Sequence, residues 1–172
     1  TPDQRLNRCA TDFFAAKSQA MRRRHLVDRY PASHGIHVQL LEALGYRYQF
    51  QVRYLGDGAA VPLLGAVKRD GQEYLWLVET VFADEDQSPL EQPLLAVQLQ
   101  RQAAAPSGAD LQLAEQRAPY HSPAMAPQGN LSVPPDPWED LAGELFRTAE
   151  PPRWLILLAG RFIYLIDRTK WG

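Results

Sequence analysis

The run Arg153-Trp154-Leu155-Ile156-Leu157-Leu158-Ala159-Gly160-Arg161-Phe162-Ile163-Tyr164-Leu165-Ile166 decides the fold. Two nearly unbroken apolar stretches of strand length flank a turn at Ala159-Gly160-Arg161, the pattern of a β-hairpin. Neither half alternates apolar with polar residues, so both faces of the hairpin are expected to be buried. Layers must cover them. The first lies just upstream, where Asp136 as N-cap and Pro137 at the first helical position open a helix to about Ala149, with Leu141, Leu145 and Phe146 as its buried stripe. Pro151-Pro152 separates that helix from the hairpin.

Further strands are expected earlier in the chain. Residues 46–55 alternate Tyr46, Tyr48, Phe50, Val52 and Tyr54 with arginine and glutamine, the period of a half-buried strand. Gly56-Asp57-Gly58 turns the chain, residues 62–67 read as a second strand, Arg69-Asp70-Gly71 turns again, and residues 74–78 read as a third. This predicts a three-stranded meander. Two helices precede it: residues 10–30, in which Phe14, Met21 and Leu26-Val27 recur at helical spacing, and a second capped by Ser33 after a break at Pro31-Ala32-Ser33. Ile36, Leu40, Leu41 and Leu44 stripe the second helix, which ends at Gly45. The fold class expected is therefore α/β (α+β), a central mixed sheet of about five strands flanked by helices.

Asp84-Glu85-Asp86 reads as a solvated loop, and residues 89–101 have room for a short helix. Residues 103–137 are rich in Pro, Ala, Ser and Gly and read as an excursion over the surface, with a helical stretch within 110–116. With 172 residues, 45% hydrophobic and 22% charged, the chain has the size and composition of one globular domain. Its one cysteine, Cys9, has no partner for an internal disulfide, no signal-peptide pattern precedes it, and the longest apolar run is far too short to span a bilayer. A cytoplasmic location is expected. The chain begins without Met and stops just after a core strand, which reads as the single N-terminal domain, residues 1–172, of a longer protein.

The net charge of −2 conceals an asymmetry: residues 1–54 carry nine Lys/Arg against four Asp/Glu, and residues 55–101 carry three against eight. Arg22-Arg23-Arg24, joined by Arg29 and His25, is the strongest local charge feature. It suits phosphate contacts to DNA, and it equally suits a solvated helix face.

The hairpin and its continuation to Lys170-Trp171-Gly172, the helix at Trp138-Glu139-Asp140-Leu141, and the strand Tyr74-Leu75-Trp76-Leu77-Val78-Glu79 resemble the N-terminal region of large type IIG-like DNA adenine methyltransferases of restriction-modification, BREX and DISARM phage-defence systems. The resemblance covers about half of the chain. It implies a restriction-endonuclease-like, PD-(D/E)xK fold, a parent protein that uses S-adenosylmethionine, and partners in double-stranded DNA and other defence-system subunits. It also implies a Mg²⁺-dependent nuclease site where the motif is complete. Glu79 stands at the motif's glutamate, but Val81 occupies the lysine position and Leu63 the aspartate position. Asp57 and Lys68 are displaced substitutes at best; a turn explains the first and an exposed strand end the second. The expectation is a segment without catalysis of its own, needing no cofactor. The alternatives are an active nuclease using Glu79 and Asp57 with Mg²⁺, and a plain protein-interaction module. The methyltransferase's own motif is missing, Val133-Pro134-Pro135-Asp136 being similar only in its prolines.

His25, His34, His37 and His121 lack the Cys or carboxylate company of a metal set; His34 and His37, three apart, are expected on one helix face as a surface or partly packed pair. Trp76, Trp154, Phe162 and Tyr164 are expected in the core rather than as a base-stacking platform.

Overall fold

The computed structural model describes residues 2–95, 134 and 136–171. Helices α1 (Pro2–Met21) and α2 (Leu26–Ala43) are followed by strands β1 (Gln51–Tyr54), β2 (Ala60–Leu63), β3 (Gly65–Arg69) and β4 (Gln72–Thr80). A 3-10 turn at Pro89–Glu91, helix α3 (Trp138–Leu145) and strands β5 (Trp154–Ala159) and β6 (Phe162–Asp167) complete the order.

The strands form a mixed four-stranded sheet, β3-β4-β5-β6, and a separate antiparallel pair, β1-β2. The β5–β6 hairpin forms as expected, Ala159 facing Phe162 across the Gly160-Arg161 turn. Strand β4 runs parallel to β5, Leu75 opposite Trp154 and Thr80 opposite Ala159. A parallel neighbour needs a crossover, and α3 lies within it.

The α/β class holds, but the meander does not. The second strand breaks at Leu64: β2 pairs back to β1, while β3 pairs forward to β4. Leu64 donates its N–H to Leu77 O at 2.7 Å and accepts Gln49 N–H at 2.8 Å, so this one residue serves both neighbours of the chain. Glu73 ties the two sheets together: it accepts Arg53 from β1 at 3.0 Å and Trp76 Nε1 at 2.6 Å, with Arg53 over the Trp76 ring. The first strand is also shorter than expected, with a ladder only over residues 51–54.

Helix boundaries shift as well. The break falls at residues 22–25, not at Pro31, which sits inside α2. Pro31 is the sixth residue of α2, past the first turn, so the helix forgoes one N–H bond there and is held by its packing instead. The buried Arg29 side chain makes the corner, donating Nε–H to Arg23 O at 2.9 Å and so satisfying a carbonyl that a continuing helix would have used. Pro137, rather than Asp136, is the residue preceding α3, and α3 ends at Leu145, short of Ala149. Of residues 89–101, the described part forms only the 3-10 turn. The excursion at 103–137, the helical stretch expected within 110–116 and His121 lie outside the described residues, apart from 134, 136 and 137.

The main core lies between the sheet and α3: Trp76, Val78, Leu155, Leu157 and Ile166 meet Trp138, Leu141 and Leu145. The opposite sheet face is covered in part by α2, through Leu41 against Leu75, Leu77 and Leu158. A third cluster joins α1 to α2 around Ala20, Ile36 and Phe82. Phe14 is 70% exposed and Leu44 is exposed, so neither belongs to the stripe expected of it. Strand β6 departs most from expectation. It is the sheet's edge, with Ile163 and Leu165 exposed; in β5 the face toward α3 is buried, while on the other face Leu158 is buried and Trp154 and Ile156 are half-buried.

Candidate functional site

Helix α2 presents Tyr30, His34 and His37 at intervals of four and three, one side of a helix. That side meets Glu79, near the end of β4 and only 3% exposed. Glu79 Oε1 accepts His34 Nδ1–H at 2.7 Å and Tyr30 O–H at 3.1 Å, and Oε2 accepts His37 Nδ1–H at 2.8 Å. Gly160, in the β5–β6 turn, donates its N–H to His37 Nε2 at 2.9 Å. That bond needs a lone pair on Nε2, so the His37 proton sits on Nδ1 and the ring is neutral. A chain of hydrogen bonds thus runs from the hairpin turn through His37 and Glu79 to His34 and Tyr30, joining three elements distant in sequence.

Burial alone would push the Glu79 carboxyl up. The hydrogen bonds from His34 and His37, with a smaller electrostatic contribution from the same two residues, outweigh it and hold the group at about 2. Tyr30 stacks on the His34 ring at 5.3 Å and Tyr48 meets it edge-on at 5.5 Å. The Tyr48 hydroxyl has no partner among the described residues. Its burial, followed by the Glu79 charge, pushes that phenol up to about 12, so Tyr48 stays protonated.

These facts set a pH prediction. A carboxyl near 4.5 when unfolded and about 2 when folded stabilises the fold fully above the first value, and the contribution drains away as pH falls toward the second. It amounts to roughly 3 kcal/mol at neutral pH. Urea midpoints of the wild type should fall more steeply between pH 5 and pH 2 than those of Glu79→Gln. Parallel slopes would mean that Glu79 carries no such linkage.

The cluster does not fit a Mg²⁺ site. Mg²⁺ takes oxygen ligands in near-octahedral array, whereas both Glu79 oxygens accept hydrogen bonds from donors that repel a cation. Among the described residues no three His, Cys, Asp or Glu side chains are arranged to hold a metal ion. Asp57 accepts the Ala59 N–H at 2.9 Å within the β1–β2 turn and shares no hydrogen bond with the cluster. Lys68 pairs with Glu73 at 3.3 Å, on the side of the sheet system that holds β1. The structure therefore does not assemble Glu79, Asp57 and Lys68 into one site.

The arginines separate into two groups. Arg22, Arg23 and Arg24 are exposed at the α1–α2 corner, and Arg22 and Arg23 line an open groove of about 440 Å³ with Ala15, Ser18 and Gln19. Arg29, grouped with them from the sequence, is not on that surface. It is buried, with its guanidinium bound to Arg23 O, Phe82 O and Asp84 Oδ1 at 2.9, 3.0 and 2.8 Å. Those bonds consume the donors that a phosphate would need. Cys9 is also buried, which, with Asp12 nearby, pushes its thiol up and away from reactivity. Of the aromatic residues, Trp76 is buried, Trp154 and Tyr164 are half-buried, and Phe162 is exposed beneath Arg161.

The sequence reading missed the Glu79 network, though a signal was present. Glu79 is the one acid in the apolar run from Tyr74 to Phe82, and a buried charge requires partners. Comparison with known proteins found no matching family model, curated protein or solved structure.

Proposed function

We propose that this chain is the N-terminal accessory domain of a bacterial DNA adenine methyltransferase of a restriction-modification or phage-defence system, with a restriction-endonuclease-like fold and no catalysis of its own. It helps the parent protein engage duplex DNA. The parent supplies S-adenosylmethionine binding and methyl transfer from sequence other than this. The reading starts from the resemblance carried by β4, α3 and the β5–β6 hairpin. The observation that carries its inactive half is the state of Glu79: at the position of a nuclease acid stands a carboxylate locked among Tyr30, His34 and His37.

The DNA half is supported by the exposed Arg22-Arg23-Arg24 corner and the groove beside it, where Ser18 and Gln19 add neutral donors. Such a surface binds phosphates without reading bases, so affinity should fall with salt. The slope of log affinity against log salt should shrink by roughly 2–3 when all three arginines become alanine, about 0.9 per lost phosphate contact. Fluorescence anisotropy on a duplex at several salt concentrations measures this, with thermal unfolding as a check on the fold. A wild type without salt-dependent binding would sink the DNA half and leave a module that binds other defence subunits. Duplex DNA incubated with Mg²⁺ or Mn²⁺ should remain intact. Cleavage abolished in Glu79→Gln would overturn the inactive half.

A further inference from the structure

We infer that the open edge of β6 docks a second copy of this chain, two β6 strands pairing antiparallel about a two-fold axis at Tyr164. This does not depend on the function proposed above.

The two edges of the four-stranded sheet differ. Strand β3 carries a register shift between Val67 and Lys68, then Lys68 and Arg69. A bulge and cations are how natural edges resist pairing. Strand β6 has neither over Phe162-Ile163-Tyr164-Leu165-Ile166. Its backbone direction is fixed by Arg168, which donates N–H to Arg153 O at 3.2 Å and so marks the even-numbered residues as those facing β5. Ile163 and Leu165 therefore turn their N–H and C=O groups outward. The Asp167 carbonyl ends the row by accepting Lys170 N–H at 2.9 Å.

The same two residues expose their side chains, Ile163 by 55% and Leu165 by 63%. Both stand on the sheet face that α2 covers only in part, Leu165 opposite half-buried Ile156 and Ile163 opposite Leu158. Apolar side chains and backbone groups that have no partner among the described residues thus coincide along one edge.

The strand's own pattern names the occupant. Matching faces across an antiparallel pair joins odd residues with odd ones. Centring the pair on Tyr164 sets Ile163 against Leu165 of the other copy, and Arg161 against its Asp167. Centring it one residue to either side sets a charged residue against an apolar one. Only the Tyr164 register is complementary in both apolar character and charge, and it is self-complementary, as a two-fold interface must be. In it the Asp167 carboxylate, already paired with Arg153 at 3.2 Å, faces the guanidinium of Arg161, which within its own chain reaches Glu85 O at 3.1 Å.

Sedimentation of the full chain across micromolar concentrations should show reversible association toward twice 19.4 kDa. Leu165→Lys, at an exposed position, should keep the melting temperature and weaken association about tenfold or more, because symmetry removes the contact twice. Tyr164→Cys, with Cys9→Ser, should cross-link on mild oxidation, since residues meeting at the axis lie about 4.5 Å apart; Ile163→Cys, whose opposite number is Leu165, should cross-link far less. A chain that is monomeric throughout overturns the proposal, whether residues 96–133 or another protein then cover the edge. So does association that Leu165→Lys leaves unchanged, or cross-linking that favours Ile163→Cys.

Discussion

Glu79→Ala is expected to destabilise the protein by about 3–5 kcal/mol at pH 7, the range for removing one partner from a buried charged network. The substitution takes away the acceptor shared by Tyr30 O–H, His34 Nδ1–H and His37 Nδ1–H and leaves those donors beside a cavity. It also unties α2 from β4, and through His37 from the β5–β6 turn. Urea unfolding with linear extrapolation gives the difference. Glu79→Gln should cost less, because an amide keeps the volume and one acceptor while its NH₂ faces a donor. A loss below about 1 kcal/mol for alanine would place the network among surface-like ion pairs, contrary to its burial.

The second large effect belongs to Gly160→Ala. Gly160 adopts φ +60°, a left-handed conformation that costs an ordinary residue about 1–2 kcal/mol. A Cβ there would also overlap the Phe82 ring, itself buried between α1, α2 and the turn. Overpacking of that kind adds about 1–3 kcal/mol, so a total of about 2–5 kcal/mol is expected from one methyl group. The Gly160 N–H to His37 survives in alanine, which separates backbone and steric cost from loss of the hydrogen bond. Pairing it with Phe82→Leu tests the steric part. The double variant should recover some of the loss, and simple additivity would show that Phe82 is not the obstacle.

The local signals that survive into the structure are those whose partners lie nearby. The β5–β6 hairpin was legible because turn and strands are contiguous, and of the α2 stripe Ile36 and Leu41 are buried, though against different neighbours, Ile36 beside α1 and Leu41 on the sheet. The meander failed at Leu64, where the switch between partners is made by backbone bonds to Leu77 and Gln49 that leave no mark on composition. The corner before α2 was misplaced for a similar reason. No glycine or proline marks residues 22–25; a side chain six residues on makes the bend. Arg29 itself looked like part of a basic surface because charge is visible in sequence and burial is not. Half of the candidate site was readable in this sense. Glu79 was singled out by its place in β4, and His34 and His37 by their spacing, but contact between residues some forty positions apart was not.

The parallel pairing of β4 with β5 sets the order in which this protein can be completed. Leu75 and Trp154 are neighbours in the sheet, yet about eighty residues separate them along the chain. On a ribosome adding roughly 5–20 residues per second, β4 emerges some 4–16 s before its central neighbour β5 does. Throughout that interval the apolar strand from Leu75 to Val78 has one flank unfilled. Closing so long a loop adds little to the equilibrium cost, since each doubling of length takes only about 0.6 kcal/mol, but it slows assembly. The nascent chain is therefore most in need of chaperone cover between the emergence of β4 and that of β5.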